Sequence, residues 1–573
     1  MTDGIWVVDT DPSDEYPIYT RGNIGEVFPE VIAPLSWTLG VVPGAEPGWR
    51  DALVEYGAFD PEEYGDEAAV FIGCFGGYGY LNVSLYRVLA VRTPGLTPEL
   101  MDQALFGTSD APPYRARPDD EDPAKTARVE QMIGKILTTE DLPELRDDLA
   151  EVERIVAERP DMTTLSSEQL LARARENMGV FRRLFARHLL MSTAVTVPIG
   201  IIQGVCNEIG DPTLPMTLVA GLGGVDSAAP SWAMWDLGRL VASTPALSSE
   251  FDKGVDGLLD RLRGTAEAGD FLAAFDRFLV DFGSRGPNEW EMRAPTWGTH
   301  PELALAAIDR MRLSPDSAAP ERHNHERAEE RHALVAAIGE KLAGAPEVQG
   351  QFLAACRAAA VYLPGRERSK TTIIKLVHEA RLLFTELGRR MVEAGWFTKV
   401  EDFGMLTDQE WDEFLVTPEK FVDAIRERDA LHERLQGLEP PFIVDGKVPP
   451  IEEWRPRGSA AVAVAGAGDV LAGIPGCPGQ YTGRARVVLD PEDPTALEPG
   501  DILVAPITDP AWTPLFVAAG AVVVDVGAQI SHAVIVAREL GIPCVVSVTE
   551  GTRRIPDGAT ITVDGTTGTV TVL

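Results

Sequence analysis

Residues 527–543 (GAQISHAVIVARELGIP) hold the residue types and order that suit phosphoryl chemistry, centred on His532, the one histidine of the last 140 residues. An apolar run at 522–526 reads as a strand and Gly527 as the start of a turn. A helix then begins at Ser531/His532 and stops at Gly541, with Pro543 beyond. The unpaired N–H groups of a helix N-terminus attract phosphoryl oxygens. The same positive end disfavours imidazolium, which leaves a neutral, nucleophilic ring nitrogen. A histidine so placed suits taking up and then releasing a phosphoryl group. The local pattern alone leaves open a helix-capping histidine with no chemistry.

A second set lies upstream. Lysine is scarce, nine of 51 basic residues, so Lys370 stands out beside Arg366 and Glu367. These three fall just before a long helix expected over 371–394, with Arg366 and Lys370 four apart. By spacing alone they form a solvated i,i+4 surface network. Arg285 and Glu289 bracket a Gly-Pro turn, and Arg21 and Glu26 lie in an early motif. Each couple orients a bound substrate or is a structural ion pair. Gly73, Gly76, Gly77 and Gly79 have the look of a nucleotide loop, but no Lys-Ser/Thr follows, so a turn is the expectation. His323, His325 and His332 lie in a Glu/Arg-rich helix without the spacing of a closed metal site, and no metal is expected. Trp6, Trp37, Tyr78, Tyr80 and Trp232 are expected mainly in the core.

The elements that must position these residues divide the chain. The first ~110 residues mix short apolar runs with Gly/Pro turns, and residues 109–125 are an acidic, Pro-rich loop. From about 129 to 434 the apolar spacing is helical. Ser166/Gln169 and Thr407/Glu410 form capping boxes ahead of apolar residues three and four apart. Residues 456–472 (PRGSAAVAVAGAGDVLA) are small and read as a flexible linker. Beyond them, β-type runs at 485–489, 502–505, 521–526, 544–548 and 560–563 alternate with turns and one clear helix, a separate α/β domain.

Composition bounds the function. With 573 residues, 45% apolar and 24% charged, the chain is expected to be globular with several domains. A formal charge of −37, from 88 acidic and 51 basic residues, repels phosphate backbones and anionic lipid. Nucleic-acid and membrane-surface roles are therefore not expected. Five dispersed cysteines with no C-x-x-C argue against a disulfide scaffold. Residues 189–207 are uncharged, but Pro198, Gly200 and Gly204 break them, so a buried helix pair is expected rather than a span. With no basic and apolar leader at Met1, the expectation is a cytoplasmic protein.

The His532 segment resembles the motif of the phosphoenolpyruvate-utilising enzyme family, whose swivelling phosphohistidine domain carries G-G-x-x-[ST]-H-A-x-[IV]-[AV]-R-E. The likeness extends through GCPGQYTGRARVVLDPED, LEPGDILVAPITDPAWTPLF, AGAVVVDVG, GIPCVV and DGATITVDGTTGTVTVL; the departure is Ala528, where a second Gly is common. The resemblance implies that His532 is phosphorylated, with Gly527, Ser531 and Arg538 as supporting motif residues. Upstream, YTRGNIGEVFPEVIAPLSW, GYLNVSLYRVLA, GLGGVDSAA, SRGPNEWEM, RERSK and EDFGMLTDQEW are similar to the acceptor-binding helical region of rifamycin phosphotransferases and phenylphosphate synthases. By that resemblance Arg366, Glu367 and Lys370 line the acceptor site, with Lys370 or Glu367 removing the hydroxyl proton, and Arg21, Glu26, Arg285 and Glu289 bind substrate.

The implied architecture is multidomain α+β: a mainly α-helical acceptor-binding domain (1–455), a flexible linker (456–472) and an α/β swivelling phosphohistidine domain (473–573). No P-loop and no stretch resembling an ATP-grasp module is found, and the chain leaves no room after His532 for a phosphoenolpyruvate-binding barrel. ATP and Mg²⁺ are therefore expected on a separate ATP-grasp subunit. The expected reaction is dikinase-type: ATP goes to AMP and phosphate while phospho-His532 passes its phosphoryl to a phenol or an alkylphenol such as 4-cresol, in aromatic catabolism. The alternatives are a rifamycin-type antibiotic as acceptor, and a non-enzymatic phosphocarrier.

Overall fold

The computed structural model describes residues 5–65, 69–106, 111–211, 213–223, 226, 229–314, 320–459, 462–489, 497–508, 512–527 and 531–573. They form two units, Met1–Ala194 with Trp290–Ala294 and Arg368–Ala461, and Val195–Glu289 with Pro295–Glu367 and Val462–Leu573. These bounds differ from the sequence-based division into 1–455, 456–472 and 473–573, and helices between 234 and 311 bury a core of their own.

In the first unit, β1 (Ile18–Thr20), β2 (Ile72–Phe75), β3 (Tyr78–Asn82) and β4 (Ile443–Asp445) make an antiparallel sheet in the order β2-β3-β1-β4. Its entry is fixed by a buried carboxylate: Glu46, 1% exposed, accepts from the backbone N–H groups of Val70, Phe71 and Ile72. A carboxylate that receives several N–H donors is held in place despite its burial. Both expected capping boxes form. Ser166 N donates to Gln169 Oε1 and Gln169 N to Ser166 Oγ, and Thr407 and Glu410 exchange the same pair of bonds.

The long helix α1 spans Pro346–Glu393 and passes from the second unit into the first at Glu367/Arg368. Pro364 lies inside it. Arg366, Glu367 and Lys370 are thus within a helix, where the sequence placed them just before one. Pro364-Gly365 reads as a stop because proline forfeits one backbone bond. Burial outweighs that loss: Ala355, Ala358, Ala359 and Tyr362 before it, and Ile373, Ile374, Val377 and Phe384 after it, all have their side chains in the core.

The helical part of the second unit is built around Met234, Trp235, Phe271, Phe275, Phe278 and Ile308. Phe271, Phe275 and Phe278, spaced four and three on Gly269–Phe282, stack with centroids 5.9 and 6.1 Å apart. The apolar stretch near 189–207 is a pair of helices, Phe181–Ala194 and Thr196–Glu208, meeting at Val195. Among the described residues the helical run Ser167–Glu208 is long and apolar enough to cross a membrane, with a window of mean hydropathy 1.8 that is half buried.

The C-terminal domain holds β5 (Val470–Ala472), β6 (Ile474–Cys477), β7 (Gln480–Val487), β8 (Ile502–Ala505), β9 (Ala521–Val524), β10 (Cys544–Val546), β11 (Thr560–Asp564) and β12 (Thr569–Val572). Their order is β5-β12-β11-β7-β8-β9-β10-β6, and β7 to β10 run parallel. Two helices matter here, α2 (Thr513–Ala518) between β8 and β9 and α3 (His532–Leu540) between β9 and β10. Part of the expected linker belongs to this sheet. Val470–Ala472 pairs with β12, Ala465 N donates to Arg554 O, and Ala465 is 5% exposed in the core. Small side chains hid a strand that is set by pairing with a distant partner rather than by its own apolar pattern.

Candidate functional site

Three neighbouring parallel strands, β8, β9 and β10, end side by side, the place where open α/β sheets assemble ligand sites. The chain leaving β8 reaches Thr508, the chain leaving β9 reaches Gly527 and then His532, and the chain leaving β10 reaches Ser547. Helix α3 starts at His532 and ends at Leu540, as the sequence indicates. Gly541 closes it in the left-handed conformation (φ 68°, ψ 30°). Gly527 is required by close approach: a Cβ there would lie 3.1 Å from both Ser531 Oγ and Val546 Cβ. Ser547 Oγ donates to Gly527 O at 2.6 Å and pins the turn. Residues 528–530, including the Ala528 departure, lie outside the described residues, as do 224–225 and 227–228 of the GLGGVDSAA segment.

The His532 ring is half-buried and engaged at both nitrogens. Nδ1 is 3.2 Å from Thr508 Oγ1 and Nε2 is 3.2 Å from Thr513 Oγ1, while the ring stands edge-on to Phe516 at 6.0 Å. Thr508 and Thr513 are buried, at 5% and 1% exposure. A neutral imidazole has one N–H and one lone pair. Two hydroxyls, each able to donate or accept, satisfy either tautomer and hold the ring plane. Sequence reading missed both threonines; their signal was position, just past the carboxyl end of β8 and at the start of α2. Thr508→Val is expected to slow phosphate uptake by His532 about tenfold, the cost of roughly one hydrogen bond, while Thr508→Ser stays near the parent rate. Quench-flow sampling of acid-labile phosphate checks this.

Arg538, a supporting residue by motif, is buried. Its Nε donates to Gly476 O at 3.3 Å and its Nη2 lies 3.1 Å from Met216 Sδ. Burial pushes its pKa down to about 10. It ties α3 to β6. Asp525, one residue past the end of β9, accepts from Thr552 N at 2.7 Å and from the Thr552 hydroxyl. Burial raises its pKa from 3.8 to about 6. The folded state then holds an extra proton between those values, so this group's stabilising contribution is full below about pH 4 and is lost as pH rises through 6. Asp525→Asn is expected to flatten that fall, measured as the difference in urea midpoint between variant and parent from pH 4 to 7.

The other sequence candidates fall in several places. On α1, Arg366 Nη1 donates to Glu367 Oε1 at 2.5 Å; these side chains are 18% and 6% exposed, and Lys370 follows one turn later on the same face as Arg366. Arg285 Nη1 donates to Glu289 Oε1 at 3.1 Å and Oε2 at 3.2 Å, both residues 2% exposed. The two side chains form a buried ion pair. Arg21 donates to carbonyls: Gly79 O at 2.6 Å, Phe28 O at 2.9 Å and Pro29 O at 3.2 Å, with its guanidinium 5.1 Å from the Tyr78 ring centroid. Glu26 is half-buried on the short helix Ile24–Val27.

The glycine run does not fit a nucleotide. Gly76 and Gly77 form the β2–β3 turn at φ 56° and 80°, and a Cβ on them would strike Trp454 and Val31. Trp6, Trp37, Tyr78 and Tyr80 are core residues. His325 is exposed and 3.3 Å from Glu329, and His332 meets Arg331; the side chain of His323 lies outside the described residues.

Comparison with known proteins follows the same division. The family description "Rifampicin phosphotransferase fourth domain" matches residues 187–367, close to the helical part of the second unit, and "PEP-utilising enzyme, mobile domain" matches residues 497–568. A rifampicin phosphotransferase from a Streptomyces species is 30% identical over 481 residues, 80% of this chain and 51% of that protein. An uncharacterized protein of Mycobacterium tuberculosis is 34% identical over 55% of this chain and 33% of its own length. The prodigiosin synthesizing transferase PigC of Serratia marcescens is 31% identical over 57% of this chain and 37% of its own. The chain thus spans between a third and about half of the length of these relatives. With the His532 helix, the strand ends beneath it and the mobile-domain match in agreement, the chain is a member of the PEP-utilising enzyme family and resembles the rifampicin phosphotransferases.

Proposed function

We propose that this chain is the phosphohistidine-bearing and acceptor-bearing part of an ATP-dependent phosphotransferase. His532 receives a phosphoryl group and passes it to the hydroxyl of a rifamycin-type compound. The observation that carries the reading is His532 at the N-terminus of α3, its ring between Thr508, just past β8, and Thr513, at the start of α2. The carrier chemistry needs a nucleophilic nitrogen at a positive backbone end, and the place of His532 in the first turn of α3 supports that reading. Arg366 and Lys370 on α1 neutralise the migrating charge, and Glu367 or Lys370 accepts the hydroxyl proton.

The acceptor assignment moves from the phenol expected at first to the antibiotic alternative, because relatives from Streptomyces sviceus, a second Streptomyces and Bacillus cereus are named rifampicin phosphotransferases. A nucleotide-binding module outside these 573 residues holds ATP and Mg²⁺, in our reading on a partner subunit. The setting is cytoplasmic, in keeping with five cysteines that are all free.

The test loads the full chain with phosphoramidate, a small phosphoryl donor, and locates acid-labile phosphate by mass spectrometry. The loaded chain is then offered rifamycin, phenol and 4-cresol. Label on His532 and its transfer to rifamycin are the expected results. Transfer to phenols alone would restore the phenol reading, and absence of label from His532 would overturn the carrier role.

A further inference from the structure

Ser531 opens α3 at its cap position, with backbone angles φ −69° and ψ 162° that normally return a serine hydroxyl to the first-turn N–H groups. It makes no such bond. The residue is 6% exposed, and Oγ is buried without a hydrogen-bond partner among the described residues. An unsatisfied buried hydroxyl is disfavoured in a native protein and marks a group held for another state. Its direction is known from Gly527: a Cβ placed there would lie 3.1 Å from Ser531 Oγ, so the hydroxyl faces the glycine turn where β9 leads into α3. The first N–H groups of a helix have no intrahelical acceptor and carry the positive end of its dipole. An orphaned donor therefore sits at the helix start, at the residue before His532.

We propose that Ser531 is the phosphoryl clamp: once His532 is loaded, Ser531 Oγ donates to a phosphoryl oxygen and the first-turn N–H groups of α3 hold the others. This rests on the carrier reading of His532 and adds a positioning residue to it. Ser531 forms no covalent bond; its contribution exists in the loaded state alone. It is the inverse of an ordinary cap, which stabilises the unloaded helix.

The experiment compares urea unfolding of the full chain before and after loading with phosphoramidate. In loading, the bond from phosphorus to the ammonia nitrogen breaks as the bond to the His532 nitrogen forms, and ammonia leaves with the imidazole proton as ammonium. Unloaded Ser531→Ala is expected to be at least as stable as the parent, since it removes an unsatisfied hydroxyl. Loading should favour the folded parent about tenfold more, in the unfolding constant, than it favours Ser531→Ala, as one hydrogen bond to a charged oxygen would. Ser531→Thr should match the parent. Ser531→Cys, which keeps the shape but donates weakly, should match Ser531→Ala and serves if the alanine variant folds poorly. A less stable unloaded Ser531→Ala whose response to loading equals the parent's would make Ser531 a plain cap and overturn the proposal. A parent that takes up no phosphate at His532 would remove the carrier reading and this one together; a loaded parent with indifferent Ser531 variants would remove this one alone.

Discussion

His532→Ala is expected to abolish both phosphate uptake and transfer, a loss of at least about 10⁴-fold, with the fold intact. The magnitude follows from covalent catalysis: deleting the nucleophile removes the intermediate. Thr508 and Thr513, which hydrogen-bond the ring, are hydroxyls with no acidity at neutral pH to take over. The ring is half-buried and its loss leaves at most a small gap at a helix start, so the urea midpoint should change little. Acid-labile phosphate measured after phosphoramidate treatment decides the matter; label retained at the parent level in His532→Ala would place the chemistry elsewhere.

The second large effect belongs to α1. Arg366→Ala and Lys370→Met are each expected to slow transfer from loaded His532 to the acceptor by about 10²–10³-fold while uptake from phosphoramidate stays at the parent rate. Charge neutralisation at a migrating phosphoryl group typically carries that much of the barrier. The two cations lie four residues apart on one continuous helix, the spacing that the proposed role requires. Arg366→Lys is not conservative here, because a point charge cannot reproduce the guanidinium fork that meets Glu367 at 2.5 Å. The split between uptake and transfer is the diagnostic: a variant that only loosens the helix would lower both, together with the urea midpoint.

The sequence made α3 legible to the residue because every signal agreed: a polar cap at Ser531, apolar spacing from Ala533 to Leu540, Gly541 to stop it and Pro543 beyond. Strand β8 was read with its bounds for the same reason, four apolar residues between turns. What was not legible depended on partners far along the chain. Thr508 and Thr513 acquire meaning once β8 and β9 are known to be parallel neighbours, and no local pattern states that. For Arg21 and Arg285 the sequence left substrate orientation and a structural role open, and their partners, backbone carbonyls for the first and a buried carboxylate for the second, are set by residues that no local pattern names. Strand β5 was taken for linker because Val470–Ala472 follows a run of alanines and glycines, and its pairing to β12 is set by tertiary context. Pro364 within α1 is the same lesson for helices: packing decided against propensity.

Under the proposed carrier role, the pairing of β5 shortens the tether of the histidine domain. Val470–Ala472 and Ala465 are tied to the sheet, and Arg457 is held by Gly437 O and Tyr78, so 458–464 replaces the 17 residues first counted. Stretched taut, about seven residues reach roughly 25 Å rather than the ~60 Å of the longer tether. A phosphate source farther off would oblige the β5 edge to unzip from β12, so the ladder itself would act as a brake on the journey.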